Sequence, residues 1–127
     1  MQLKMQDVLG FVTFYETVKN QKLTMKTAYK LAQLARAVES ESTFYRETLS
    51  KIIDQYGQKN EQGEPIPTED GAGVKLIPGK EEECYKAVLE LQNVDIDLPD
   101  VQFDIEEFAN IELTVTEMGA ILPFLKD

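Results

Sequence analysis

A chain of 127 residues with 43% hydrophobic content is long enough for one domain with a real core and too apolar for a disordered tail. It has no histidine and a single cysteine, Cys84. These counts exclude Ser-His-Asp and Cys-His nucleophiles, His-containing zinc sites and an internal disulfide, and they fit a reducing compartment. The net charge of −10 disfavours duplex nucleic acid as a direct ligand.

Leu3 and Met5 alternate with polar residues and predict a short first strand. Asp7 then caps a helix with Val8, Phe11, Val12, Tyr15 and Val18 on one face. After a turn at Asn20-Gln-Lys22, residues 24–56 contain neither proline nor glycine, and Gly57 stands where a helix C-cap glycine belongs. Within that span Ala28, Leu31, Ala35, Val38, Ser42, Tyr45, Leu49, Ile52 and Tyr56 step by three and four, which is a heptad seam. Leu34, Phe44 and Ile53 widen the stripe, so the spacing predicts one helix about 50 Å long packed by more than one neighbour.

Glycine and proline cluster over residues 58–79. Glu64-Pro-Ile-Pro67 and Val74-Lys-Leu-Ile77 read as the arms of a small β-hairpin or flap. Gly79 is a candidate N-cap for the next helix, with Glu81, Glu82 and Glu83 in its first turn and Cys84, Ala87, Val88 and Leu91 on its apolar face. Val94, Ile96 and Leu98 alternate with Asp95 and Asp97 as a strand, and Val101, Phe103 and Ile105 repeat the pattern. Thr114-Val-Thr-Glu117 is a capping box that opens a last helix with Val115, Met118, Leu122 and Leu125 inward.

The expected fold is therefore α+β and mostly helical: a long central helix packed by two shorter helices, a small β-flap, a short acidic strand region and a C-terminal helix. We expect a single domain over residues 1–127, divided into a helical hairpin (1–57), a β-flap (58–79) and an acidic helix-strand-helix part (80–127). No apolar run reaches the ~18 residues of a membrane span, and the first residues lack the pattern of an export signal.

The charge is unevenly spread. Residues 1–57 hold eight Lys/Arg against six Asp/Glu, a balance of +2, whereas residues 58–127 hold five against seventeen, a balance of −12. Clustered charge makes a field, and this one attracts a basic protein surface. Asp95, Asp97, Asp100 and Asp104 lack the glycine and terminal glutamate of a calcium loop, so they read as an outward strand face and not as a metal site. With Glu106 and Glu107 they form the expected partner-binding surface, with no catalytic residue and no cofactor. Lys19, Lys22, Lys26 and Lys30 form a modest basic patch that reads first as a solvated helix end.

The order of features carries a resemblance. Ala28-Tyr-Lys-Leu-Ala opens the long helix, which ends at Tyr56-Gly57, and Asn60-Glu-Gln-Gly63 and Val74-Lys-Leu follow. Leu89-Glu-Leu91, Val94-Asp-Ile-Asp-Leu-Pro99 and Leu113-Thr-x-Thr-Glu-Met-x-Ala-Ile-Leu-Pro-Phe-Leu125 complete the series. The chain resembles a family of small proteins encoded by phages and prophages of Gram-positive bacteria. The resemblance implies a phage setting, in the host cytoplasm or the virion, and carries over no catalytic or binding residue. The expected function is a non-enzymatic protein-binding module, an acidic inhibitor of a host defence or nucleic-acid-processing protein. The alternative is a virion structural or assembly accessory that forms an oligomer through its long helix.

Overall fold

The computed structural model describes residues 1–126. In chain order the elements are β1 (Gln2–Lys4), α1 (Met5–Val18), α2 (Met25–Tyr56), α3 (Glu81–Gln92), β2 (Asp95–Asp97) and α4 (Val115–Ile121), with 3₁₀ turns at Ile105–Phe108 and Leu122–Phe124. The described chain is mostly helical, with a small two-stranded antiparallel sheet. Its contacts gather into two compact units: Met1–Thr43 with the chain from Val94 onward, and Phe44–Asn93. The boundary thus falls inside α2 and not at residue 57, because the last turns of that helix hydrogen-bond to the flap that follows it.

In the first unit β1 pairs with β2, with Gln2 opposite Asp97, Leu3 opposite Ile96 and Lys4 opposite Asp95. Met5, expected in the strand, is instead the first residue of α1 and is fully buried. Lys4 is the N-cap, and Asp7 sits three residues on, its carboxylate accepting the Lys4 amide at 3.0 Å. α1 buries Met5, Val8, Phe11, Phe14 and Val18, a stripe centred on Phe14 and not on Val12 and Tyr15. Tertiary partners explain the rotation: Phe11 lies 5.2 Å from Phe124, and Phe14 meets Phe108 edge-on at 5.6 Å. Edge and tilted contacts of this kind suit the ring quadrupole.

α2 is continuous over Met25–Tyr56, as its spacing predicts. Thr24 caps it, its hydroxyl accepting the Thr27 amide at 3.4 Å and its carbonyl the Ala28 amide at 2.9 Å. The buried file at its start is Thr27, Leu31, Leu34 and Val38. Ala28, assigned to the seam, is exposed. One position of phase separates the two, and the polar Thr27 was hidden by the apolar rule.

The last helix shows the same shift. The Thr114–Glu117 capping box is present, with the Glu117 amide donating to the Thr114 hydroxyl at 3.1 Å and the Thr114 amide to the Glu117 carboxylate at 2.8 Å. Yet Val115 is 91% exposed and Leu122 is also exposed, whereas Ile121 and Phe124 are buried. α4 packs against α1 on its Ala120 side, with Gly10 opposite Ala120 at ordinary contact distance, so tertiary packing and not spacing alone sets the covered face. Phe103 and Phe124 are joined by backbone, the Phe103 amide donating to the Phe124 carbonyl at 2.8 Å.

The second unit is thinner. Among the described residues, the buried apolar side chains of residues 44–93 are Cys84 and Leu91. Tyr45, Leu49, Ile52, Ile53 and Tyr56 are half-buried, and Phe44 is exposed. The flap is held by isolated bridges, Gly57 with Leu76, Lys59 with Pro65 and Pro67 with Val74, in place of a regular hairpin. The Gln58 amide donates to the Lys75 carbonyl, Lys75 to Ile66 and Ile66 to Gln58, so three short segments pair in a closed cycle. Pro65 and Pro67 lack amide protons, which leaves Ile66 as the donor between them. Gly57 does not have the positive φ of a C-cap glycine, a conformation found at Gly63, Gly71 and Gly79. It is glycine because a Cβ would meet the Ile53 carbonyl oxygen at 2.7 Å and the Val74 side chain at 3.0 Å. Lys80, not Gly79, is the N-cap of α3.

Candidate functional site

Alternation along β2 turns Asp95 and Asp97 outward and buries Ile96 and Leu98. Val94 does not follow the inward pattern and is partly exposed, its carbonyl being the acceptor for the Met5 amide at 2.9 Å. Each outward aspartate has a cation nearby. Lys4, across the sheet in register, reaches the Asp95 carboxylate at 2.5 Å. The α-amino group of Met1 lies 2.8 Å from Asp100 and 3.6 Å from Asp97, and donates to the Leu98 carbonyl at 2.5 Å. That amine holds the Asp100 carboxyl below its ordinary range, first by its hydrogen bond and then by its charge, and its own pKa is raised by Asp100 in turn. Three carboxylates therefore face two cations, and the Asp100 side chain remains 89% exposed.

The other three acidic residues divide. Asp104 is the N-cap of the turn at Ile105–Phe108, with Lys126 at 3.9 Å, and Glu106 is exposed. Glu107, expected to face a partner, does not: its side chain is only 10% exposed. One oxygen accepts the Lys30 ammonium at 2.9 Å and the Asp104 amide at 2.8 Å, and the other accepts the Thr27 hydroxyl at 3.0 Å. Burial pushes the Glu107 carboxyl up, but the hydrogen bonds from Lys30, the Asp104 amide and Thr27, with the charge of Lys30, bring it below its ordinary value. Ile105, assigned to the strand pattern, is 63% exposed because the chain leaves the strand for this turn.

Lys30 likewise leaves the basic patch. Its ammonium also donates to the Gln102 carbonyl at 2.8 Å and lies 5.4 Å from the centre of the Phe103 ring. The cluster of Thr27, Lys30, Asp104 and Glu107 thus ties the first turns of α2 to the segment after β2. Two signals in the sequence point to it: the Asp104-x-x-Glu107 spacing of a capping box, and a threonine at the head of a buried helical file. Among the described residues no three acidic or thiol side chains converge in a way that could hold a metal ion, and Asp95, Asp97 and Asp100 lie exposed on the surface.

Beside this surface, the first turns of α2 and the Asp100–Val101 segment enclose a groove of about 550 Å³. Comparison with family models, curated proteins and solved structures gives no match. Among the described residues no helix is long and apolar enough to cross a membrane.

Proposed function

We propose that this chain is a non-enzymatic protein-binding module whose acidic face docks on a basic partner. In the phage setting that the resemblance implies, it acts as an inhibitor of a host defence or nucleic-acid-processing protein. The observation that carries this reading is the outward row of Asp95, Asp97 and Asp100, left with more negative charge than its neighbouring cations supply. Fixed carboxylates on a strand can stand in for phosphates, and the −12 balance of residues 58–127 steers a basic surface toward them. Glu107 takes no part, since its carboxylate is committed to Lys30 and Thr27. The test replaces Asp95, Asp97 and Asp100 with asparagine and measures association with a protein captured from host lysate. The variant should associate about tenfold more slowly at low salt, with a shallower salt dependence. An unchanged rate at low salt would remove the reading.

A second reading, a virion or assembly accessory that self-associates, is favoured by the half-buried seam of Tyr45, Leu49, Ile52 and Tyr56 and by the exposed Phe44 and Tyr85. In that reading the partly uncovered apolar side chains of the later turns of α2 meet another copy. It predicts that Phe44→Ser lowers the sedimentation coefficient and that salt has little effect.

A further inference from the structure

The groove beside Asp100 is lined largely by carbon, yet two of its large side chains are uncovered: Met25 is 88% exposed and Tyr29 is 68% exposed. Exposed apolar groups on a wall of a concave surface mark contact sites more often than chance placement does. Val101 is buried and closes one side. Lys30 contributes only its methylene chain, because its ammonium is held by Glu107 and the Gln102 carbonyl. That leaves charges of opposite sign on the two segments that line it, α2 and the stretch after β2. Lys26, exposed on α2, has no ion-pair partner among the described residues, and Asp100 with Asp97 outweighs the one amine between them.

From this arrangement we infer that the groove takes one large apolar side chain of the partner, flanked by a basic residue toward Asp100 and an acidic residue toward Lys26. The inference rests on the acidic-face reading only for the basic character of the partner. It adds a short-range anchor to what would otherwise be long-range attraction. Steering charges set the on-rate, whereas a filled apolar pocket sets how long the complex lasts.

The test uses the intact protein labelled for amide NMR and nine-residue synthetic peptides centred on Arg-Leu-Glu, on Arg-Ala-Glu and on the uncharged Ser-Leu-Ser. Arg-Leu-Glu should shift the amides of Met25, Tyr29 and Val101 saturably, and the other two peptides should bind about tenfold more weakly. A Met25→Ala, Tyr29→Ala variant should lose the same factor while unfolding at an unchanged temperature, since both side chains are exposed. Equal binding of the alanine peptide, or of the uncharged peptide, overturns the inference, as does the absence of a saturable shift at those amides. Shifts of the same amides on simple dilution would mean that a second copy fills the groove, and would overturn it too. The two readings fail separately. An unchanged on-rate for the triple asparagine variant sinks the acidic face and leaves the groove standing. Binding of Arg-Ala-Glu at the strand with no groove shift does the reverse.

Discussion

Glu107 shows how a residue that reads as surface charge becomes structural. Its carboxylate satisfies three donors from Lys30, Thr27 and the Asp104 amide. Glu107→Gln keeps the shape but removes the charge that Lys30 needs. Hydrogen bonds to charged groups are worth ~1.5–3 kcal/mol, so chemical denaturation near neutral pH should show a loss of about that size. The pH dependence has a definite sign. The folded pKa of Glu107 is depressed, so its contribution is fully present above the unfolded value of ~4.3 and is lost as pH falls through the lower, folded value. Stability measured from pH 6 down to pH 3 should therefore decline more gently in the Gln variant. An identical acid limb in both proteins would mean the pair contributes nothing.

Two glycines make a contrasting pair at the same scale. Gly119 lies in α4 with nothing within 4 Å of the point where an added methyl would stand, whereas at Gly57 a carbonyl oxygen lies 2.7 Å from that point. Gly119→Ala should raise stability by ~0.5–1 kcal/mol through helix propensity alone. Gly57→Ala should lower it by ~1 kcal/mol or more, because backbone and not a flexible side chain must move. Thermal unfolding of the two variants should move in opposite directions.

At the scale of the element, α2 is one helix with two kinds of face. Near its start Leu31, Leu34 and Val38 are buried, while Leu49 in its later turns is half-buried. A leucine truncated in a closed core costs its transfer free energy plus a cavity, ~2–5 kcal/mol, and one with solvent beside it costs less because no cavity is left. Leu34→Ala should therefore destabilise by ~2–5 kcal/mol and Leu49→Ala by less than half of that. Equal losses at the two sites would show that the later turns are covered as well as the first. The flap belongs to this scale too. Its pairing is by single bridges, and each is held by two backbone hydrogen bonds with little apolar cover.

At the scale of the whole molecule, the two units differ in what holds them. The first is built on buried rings, among them Phe11, Phe14, Phe103, Phe108 and Phe124, whereas residues 44–93 bury only Cys84 and Leu91 of their apolar side chains. Local opening free energy follows buried apolar contact. Native-state hydrogen exchange should therefore find the amides of Gln58, Ile66 and Lys75 opening at lower free energy than those of Phe11, Phe14 and Phe103. Equal protection across both sets would mean that the units unfold as one. The charge follows the same division in part: Glu61, Glu64, Glu69 and Glu82 are exposed on the thinner unit, and adding salt should relieve their mutual repulsion.

Features that depend on near neighbours could be read from the residues alone. The unbroken span of α2, the Thr114–Glu117 cap and the inward Ile96 and Leu98 follow from spacing, capping chemistry and strand alternation, each decided within a few residues. The rest waited on contacts between distant parts of the chain. Periodicity says that a helix has an apolar face but leaves its edge open to one position. A distant partner chose Thr27 over Ala28, Phe14 over Tyr15 and Ile121 over Leu122 as the covered side. Glu107 reads as solvent-facing until Lys30, 77 residues away in the chain, is brought to it. A carboxylate is surface or structure according to which donors reach it, and donors that far apart meet only when the chain has folded.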